Sequence, residues 1–132
     1  MRLNNLDHLE YCKQIFNIES EYKEINYRNV VTKSYYFAFY ETVDKLNLLG
    51  WKKTVAKGGV HAIEVSRLLG FPEKQLTDIE EKLAKKLHYR ITALKKLRTK
   101  ADYKLDQPIS ERMAQYCIVE AEDISNQLQN IN

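Results

Sequence analysis

Apolar residues along the chain recur three or four positions apart, a helical period, and no stretch alternates strictly as a half-buried strand does. The first such stretch, about Leu6 to Lys23, carries Leu6, Leu9, Tyr11, Cys12, Ile15 and Phe16, with Asp7 as a candidate cap. A second runs from about Asn26 to Leu49 and stops at Gly50, the residue type that most easily closes a helix in the left-handed region. Trp51 to Gly59 reads as a connection, followed by a short helix from about Val60 to Leu69 that ends at Gly70. A fourth helix starts either near Pro72 or at the capping box Thr77-Asp78-Ile79-Glu80, and continues to Tyr103. Counted from Pro72 it has about 32 residues and reaches about 48 Å, long enough that a bend near His88 or Arg90 is expected. Lys104 to Ile109 forms a loop containing Pro108. Ser110 then caps a last helix that buries Met113, Tyr116, Cys117, either Val119 or Ala121, Ile124 and Leu128. Short connections between such elements predict an all-α, antiparallel four- to five-helix bundle. Residues 1–132 form one domain, in which an N-terminal helix (1–24) packs on a core bundle (26–131).

Two stretches depart from simple amphipathicity. Tyr35-Tyr36-Phe37-Ala38-Phe39-Tyr40 is apolar or aromatic around the whole helix, so it is expected to be buried on more than one side. One face can serve the core and another a second copy of the chain, which makes Tyr35, Tyr36 and Phe39 the candidate interface of a two-fold homodimer. In the fourth helix the stripe Ile79, Leu83, Leu87, Ile91, Leu94 continues to Arg98, Ala101 and Leu105, which places a guanidinium on the apolar seam. Arg98 there needs a buried acceptor, a wet groove or a substrate phosphate. Asp102, four residues on, offers a purely structural answer, an i,i+4 ion pair that snorkels out of the seam.

The composition is that of an ordinary globular chain, 44% hydrophobic and 30% charged in 132 residues. Its net charge of +3 says little, but nine Lys or Arg between Lys82 and Lys104 face the single acid Asp102, so the remainder carries −5. A basic helix of this kind suits a phosphate backbone, with Lys95, Lys96, Lys100 and Lys104 as the candidate RNA- or nucleotide-binding residues. An acidic partner protein or a solvated face would use the same pattern. Cys12 and Cys117 have no metal-ligand spacing and read as reduced core thiols; neither a metal nor a cofactor is expected. Residues 1–10 do not fit a signal peptide and no apolar run approaches the roughly 18 to 20 residues of a membrane span, so a cytoplasmic protein is expected. Gly58-Gly59 lacks the Gly-Lys-Ser/Thr of a phosphate loop, and His61 is a lone histidine at a helix start, a position more often structural than catalytic. Nucleophile elbows, His-Glu-x-x-His and dinucleotide loops are absent.

Arg98-Thr99-Lys100-Ala101-Asp102-Tyr103, preceded by Lys33-Ser34-Tyr35-Tyr36-Phe37-Ala38-Phe39 and with Gly59-Val60-His61 between them, resembles the HEPN superfamily over about Arg28 to Ile131. The resemblance implies a dimerising helical bundle from a superfamily rich in metal-independent endoribonucleases, toxins and antiviral effectors. It also implies Arg98, Asp102 and Tyr103 as catalytic candidates. Active members follow the arginine with a histidine, and one toxin branch reads Arg-x4-Tyr-x-His. Arg98 and Tyr103 match that branch, but Leu105 stands where its histidine would be. His8, His61 and His88 all precede Arg98; Arg2 and His8 have the spacing but lie outside the motifs. In that branch the tyrosine is modified by a partner minimal nucleotidyltransferase, which makes Tyr103 a candidate modification site.

Two functions are therefore expected. One is a dimeric binding module of a toxin-antitoxin or antiviral defence system, holding RNA, a nucleotide or a partner protein on the basic helix. The alternative is an endoribonuclease in which Arg98 stabilises the charged transition state and a non-standard group handles protons. Tyr103, with a reference pKa of about 10, is a poor base for that purpose.

Overall fold

A long helix whose middle offers no polar face must be surrounded, and the arrangement of the chain follows from that requirement. In a computed structural model, which describes residues 4–52, 58–69 and 77–132, the order is α1 (Leu6–Phe16), α2 (Lys23–Leu49), α3 (Val60–Ser66), a 3-10 turn (Arg67–Leu69), α4 (Asp78–Tyr103) and α5 (Glu111–Leu128). No strand occurs among the described residues. Helix α2 packs against α1, α3, α4 and α5.

Side-chain contacts fix the directions. Cys12 and Asn5 of the α1 region reach the carbonyls of Val30 and Phe37, so α1 is antiparallel to α2. Arg28 meets the end of α4 and Tyr36 meets Arg98, so α2 and α4 are antiparallel too. Ile109 and Ser125 meet Glu24 and Glu41 in that order, so α5 runs parallel to α2. The long helices α1, α2, α4 and α5 therefore alternate in direction along the chain, as expected of an antiparallel bundle, and α2 and α5, two apart in that order, point the same way.

Most predicted boundaries hold, and the differences have local causes. Helix α1 stops at Phe16, and Lys23 opens α2. Asn5 occupies the cap position of α1 and Asp7 lies in the first turn; the Asn4 side chain accepts from the Leu6 N–H at 3.1 Å. Gly50 closes α2 with φ of 74°, a left-handed conformation that a side chain resists. Helix α4 begins at the Thr77 capping box, where Thr77 Oγ1 accepts from the Glu80 N–H. Its 26 residues reach about 39 Å, so the excess length that implied a bend disappears. Gly70 and Pro72 lie outside the described residues, as does Lys53 to Lys57 of the preceding connection.

The core contains Leu87, Ile91, Leu94 and Ala101 of α4, as the stripe predicts. Ile79 does not belong to it: in the first turn it is 80% exposed. Leu105 is also outside, because α4 ends at Tyr103 and the stripe ends with it. In α5, Ala121 rather than Val119 faces inward, and Tyr116 is exposed, its hydroxyl donating to Glu120. Cys12 and Cys117 are buried and free, and burial pushes their thiols up to about 11 and about 12. Among the described residues, no helix is long and apolar enough to cross a membrane.

The end of α4 is held by a side chain from the start of α2. Arg28 donates through Nη1 to the carbonyls of Lys100 and Ala101 at 3.3 and 3.0 Å, and through Nη2 to those of Leu105 and Gln107. A cation at a helix C-terminus meets carbonyls that have no intrahelical donor. Arg28→Ala should therefore cost about 2 kcal/mol, with Arg28→Lys recovering little because an ammonium lacks the planar fork. Urea unfolding with an unchanged midpoint in Arg28→Ala would contradict this role.

Candidate functional site

Arg98 projects from α4 toward α2 with a side chain 17% exposed, and it is engaged on three sides. Its Nε lies 2.9 Å from Asp102 Oδ2, and Asp102 is held from behind by the Thr32 hydroxyl of α2. The Nε–H is not aimed well enough at that oxygen to count as a hydrogen bond, so the contact is an ion pair. Nη2 donates to the Tyr36 hydroxyl at 3.0 Å. The guanidinium carbon lies 5.4 Å from the centre of the Tyr36 ring and 5.6 Å from that of Tyr103, both within cation–π range. The i,i+4 pair with Asp102 thus exists, but Arg98 does not snorkel away from the seam. Nη1 makes no hydrogen bond among the described residues and is not among the buried unsatisfied atoms, so it keeps some contact with solvent.

The fold brings a histidine to this cluster from an unexpected direction. His61, in the first turn of α3, stacks on Phe39 with ring centres 4.2 Å apart and meets the Tyr36 ring edge-on at 5.9 Å. Its Nδ1 lies 2.7 Å from the Tyr35 hydroxyl. Burial, with added repulsion from Arg98 and then Lys95, lowers its pKa below the ordinary value of 6.5. Tyr35 is fully buried, and burial raises its pKa far above the usual tyrosine range, so the hydroxyl keeps its proton. His61 is accordingly neutral near pH 7, oriented through Nδ1 and electrostatically coupled to Arg98. Reading downstream of Arg98 finds Leu105 and no histidine; the histidine is supplied across the bundle from 37 positions upstream. The available signal was Gly59-Val60-His61 at the start of a helix facing the aromatic run.

The remaining site residues divide. Tyr103 is 69% exposed and keeps its ring against Arg98, whereas Leu105 is exposed beyond the helix end and its carbonyl accepts from Arg28. Tyr35 and Phe39, expected at a subunit interface, are 0% and 5% exposed within the single chain: they are spent on the core and on His61. Tyr36 is half-buried and is the only one of the three with substantial accessible surface.

The basic run is thinned by internal pairing. Arg90 Nη2 binds Glu120 and Asp123 of α5, the latter at 2.7 Å, and Lys85 pairs with Glu81. Lys82, Lys86, Lys95, Lys96, Lys100 and Lys104 form no ion pair among the described residues. Lys33 adds a cation from α2, its ammonium 5.8 Å from the centre of the Tyr36 ring. Four of these lysines, 95, 96, 100 and 104, flank Arg98 in the sequence of α4 and the residue that follows it. Among the described residues no three His, Cys, Asp or Glu converge as metal ligands. No protein-family model, curated protein or solved structure matches this chain.

The state of His61 can be read directly. Its imidazole pKa, followed by proton NMR, should lie below 6.5 and rise in both Arg98→Ala and Lys95→Ala, because each removes a repelling cation. His8 and His88 are lowered as well, chiefly by burial. The unfolded chain then binds protons more readily, so stability is complete above about pH 6.5 and is lost as pH falls through that value toward the folded pKa values. A urea midpoint that does not fall between pH 7 and pH 5 would contradict these assignments.

Proposed function

We propose that this chain is a HEPN-type protein that holds RNA or a nucleotide by its phosphates, through Arg98 and the lysines of α4. The observation that carries the reading is the state of Arg98. Its guanidinium is held in place by Asp102 and Tyr36 while Nη1 has no partner among the described residues; Lys95 stands one turn back on the same side of α4, and Lys96, Lys100 and Lys104 lie further round it, none with an acidic partner among the described residues. A pre-positioned guanidinium loses little freedom on meeting a phosphate oxygen, and unpaired lysines release counterions when a nucleic acid binds.

Membership of a toxin-antitoxin or antiviral defence module rests on the motif resemblance. The exposure of Tyr103 fits an acceptor that a partner nucleotidyltransferase could reach. The homodimer is part of the same proposal, with Tyr36 rather than Tyr35 or Phe39 at the contact; a monomer by light scattering at tens of micromolar would overturn that part.

A second reading is favoured by His61. In an endoribonuclease the base takes the 2′-hydroxyl proton as that oxygen attacks phosphorus; the bond to the 5′-oxygen breaks, that oxygen gains a proton, and a 2′,3′-cyclic phosphate remains. A neutral imidazole suits the first transfer in the tautomer whose Nδ1–H donates to the Tyr35 oxygen, which leaves Nε2 free to take the proton, and Arg98 suits the charge that develops on the phosphoryl oxygens.

One set of variants tests both readings. Binding of a single-stranded RNA should weaken linearly in a log–log salt titration, and replacing Lys95, Lys96 and Lys100 with Ala should flatten the slope by about 0.7 per lost contact. An unchanged slope would remove the phosphate-binding role. Cleavage by the wild type that falls by about 10² to 10⁴ in both Arg98→Ala and His61→Ala supports the enzyme. Binding without cleavage, with activity gained in Leu105→His, supports a binding module on a nuclease scaffold. Leu105 is 73% exposed, so that substitution buries no imidazole.

A further inference from the structure

Between α3 and α4 lies a cavity of about 190 Å³, the most enclosed of the described cavities. Ala62, Val65 and Ile91 give it an apolar wall, while His61, His88, Thr92 and Lys95 bring polar groups to it. His88, Thr92 and Lys95 stand at i, i+4 and i+7, one face of α4, and Arg98 follows Lys95 by three residues, about one turn. His61 belongs to both places: it lines the cavity and also touches Tyr36, on which Arg98 rests. The cavity therefore adjoins the Arg98 face.

We infer that this cavity receives one unstacked nucleobase of a single-stranded RNA whose phosphates meet Lys95 and Arg98. The inference rests on the RNA-binding reading and specifies the form of nucleic acid it requires. Three features point to a base rather than to a phosphate. Most of the lining surface is apolar, as a ring face requires, although four of its seven described residues carry polar groups suited to a base edge. Both histidines are held toward the neutral form, mainly by burial, and a neutral imidazole offers one donor and one acceptor, the complement of a base edge. The volume lies below the range of about 300 to 1,000 Å³ of drug-sized sites, enough for a ring system but not for a nucleoside with its sugar and phosphate. Lys95, the one cation among the described lining residues, then has the ribose-phosphate as its natural partner.

A duplex cannot supply such a base without unpairing it, so the site distinguishes single strands from double strands and a real strand from a bare backbone. The test compares three probes of equal length: a mixed-sequence single-stranded RNA 10-mer, the same sequence as a duplex, and a 10-mer of abasic sugar-phosphate. The single strand should bind about 5- to 150-fold more tightly than the abasic strand, the range expected for a stacked base. Ala62→Phe, which fills the cavity, should abolish that preference while leaving the salt slope of the remaining binding unchanged. Because this variant could misfold, the wild type is also followed by NMR: the imidazole signals of both His61 and His88 should shift on adding the single strand and stay in place with the abasic one. Equal affinity for single-stranded and abasic probes, or histidine signals unmoved by the single strand, would overturn the base site while leaving phosphate binding intact. Failure of all three probes to bind in low salt would overturn both readings together.

Discussion

The constraint on which the structure depends is that the middle of α2 has no side to give to water. Tyr35, Phe37, Ala38 and Phe39 are all at most 5% exposed, and Tyr36 and Tyr40 are half-buried. Each large side chain removed from water contributes about 1.5 to 3 kcal/mol, so leaving any face of this helix open would be costly. The chain meets that demand from within. Helices α1, α3, α4 and α5 each cover part of α2, and the short α3 does so with His61 stacked on Phe39. A stretch that reads as a subunit interface is thus mostly an internal one, and its polar edges, the Tyr35 and Tyr36 hydroxyls, are turned toward the two groups with acid-base or charge chemistry, His61 and Arg98.

That arrangement ties folding to the site. Arg98 can sit on the seam of α4 because Asp102 supplies an opposite charge one turn away and Tyr36 accepts a hydrogen bond from across the bundle. Asp102 is held in turn by Thr32, and the backbone that follows is held by Arg28. Three residues of α2 spaced four apart, Arg28, Thr32 and Tyr36, therefore determine the position of the Arg98-to-Tyr103 segment. The proposed ligand would meet a site already formed, with a guanidinium nitrogen that has no partner among the described residues and, one turn back, Lys95, whose charge is not spent on an ion pair among them. The contrast with Arg90, which is fully paired with α5, shows that charge count alone does not locate a binding face.

Much of this was legible in the sequence. Period and punctuation located the helices: Gly50 and Ser110 act as expected, and the Thr77 capping box identifies the start of α4. The errors arise where a local rule meets a tertiary one. The stripe extrapolated to Ile79 and Leu105 fails because one lies in the first turn and the other beyond the last, where no partner helix covers it. The alternating directions of α1, α2, α4 and α5 follow from the short loops, whereas the close packing of α5 on α2 depends on the tertiary fold. At the site, the Arg98–Asp102 pair follows from i,i+4 spacing and was readable. His61 was not, since its role depends on α3 folding back onto Tyr35 and Phe39, and a search for a histidine downstream of the arginine cannot find it.

The central claim is that the Arg98 cluster and the adjoining His61 cavity form one nucleic-acid-binding face. Photocrosslinking to a 4-thiouridine-containing single-stranded RNA, followed by peptide mapping, tests it most directly. Adducts should fall in α3 near His61 and in α4 between His88 and Tyr103, and should diminish in Arg98→Ala. Adducts confined to α1 or to the outer face of α5, and indifferent to Arg98, would contradict it.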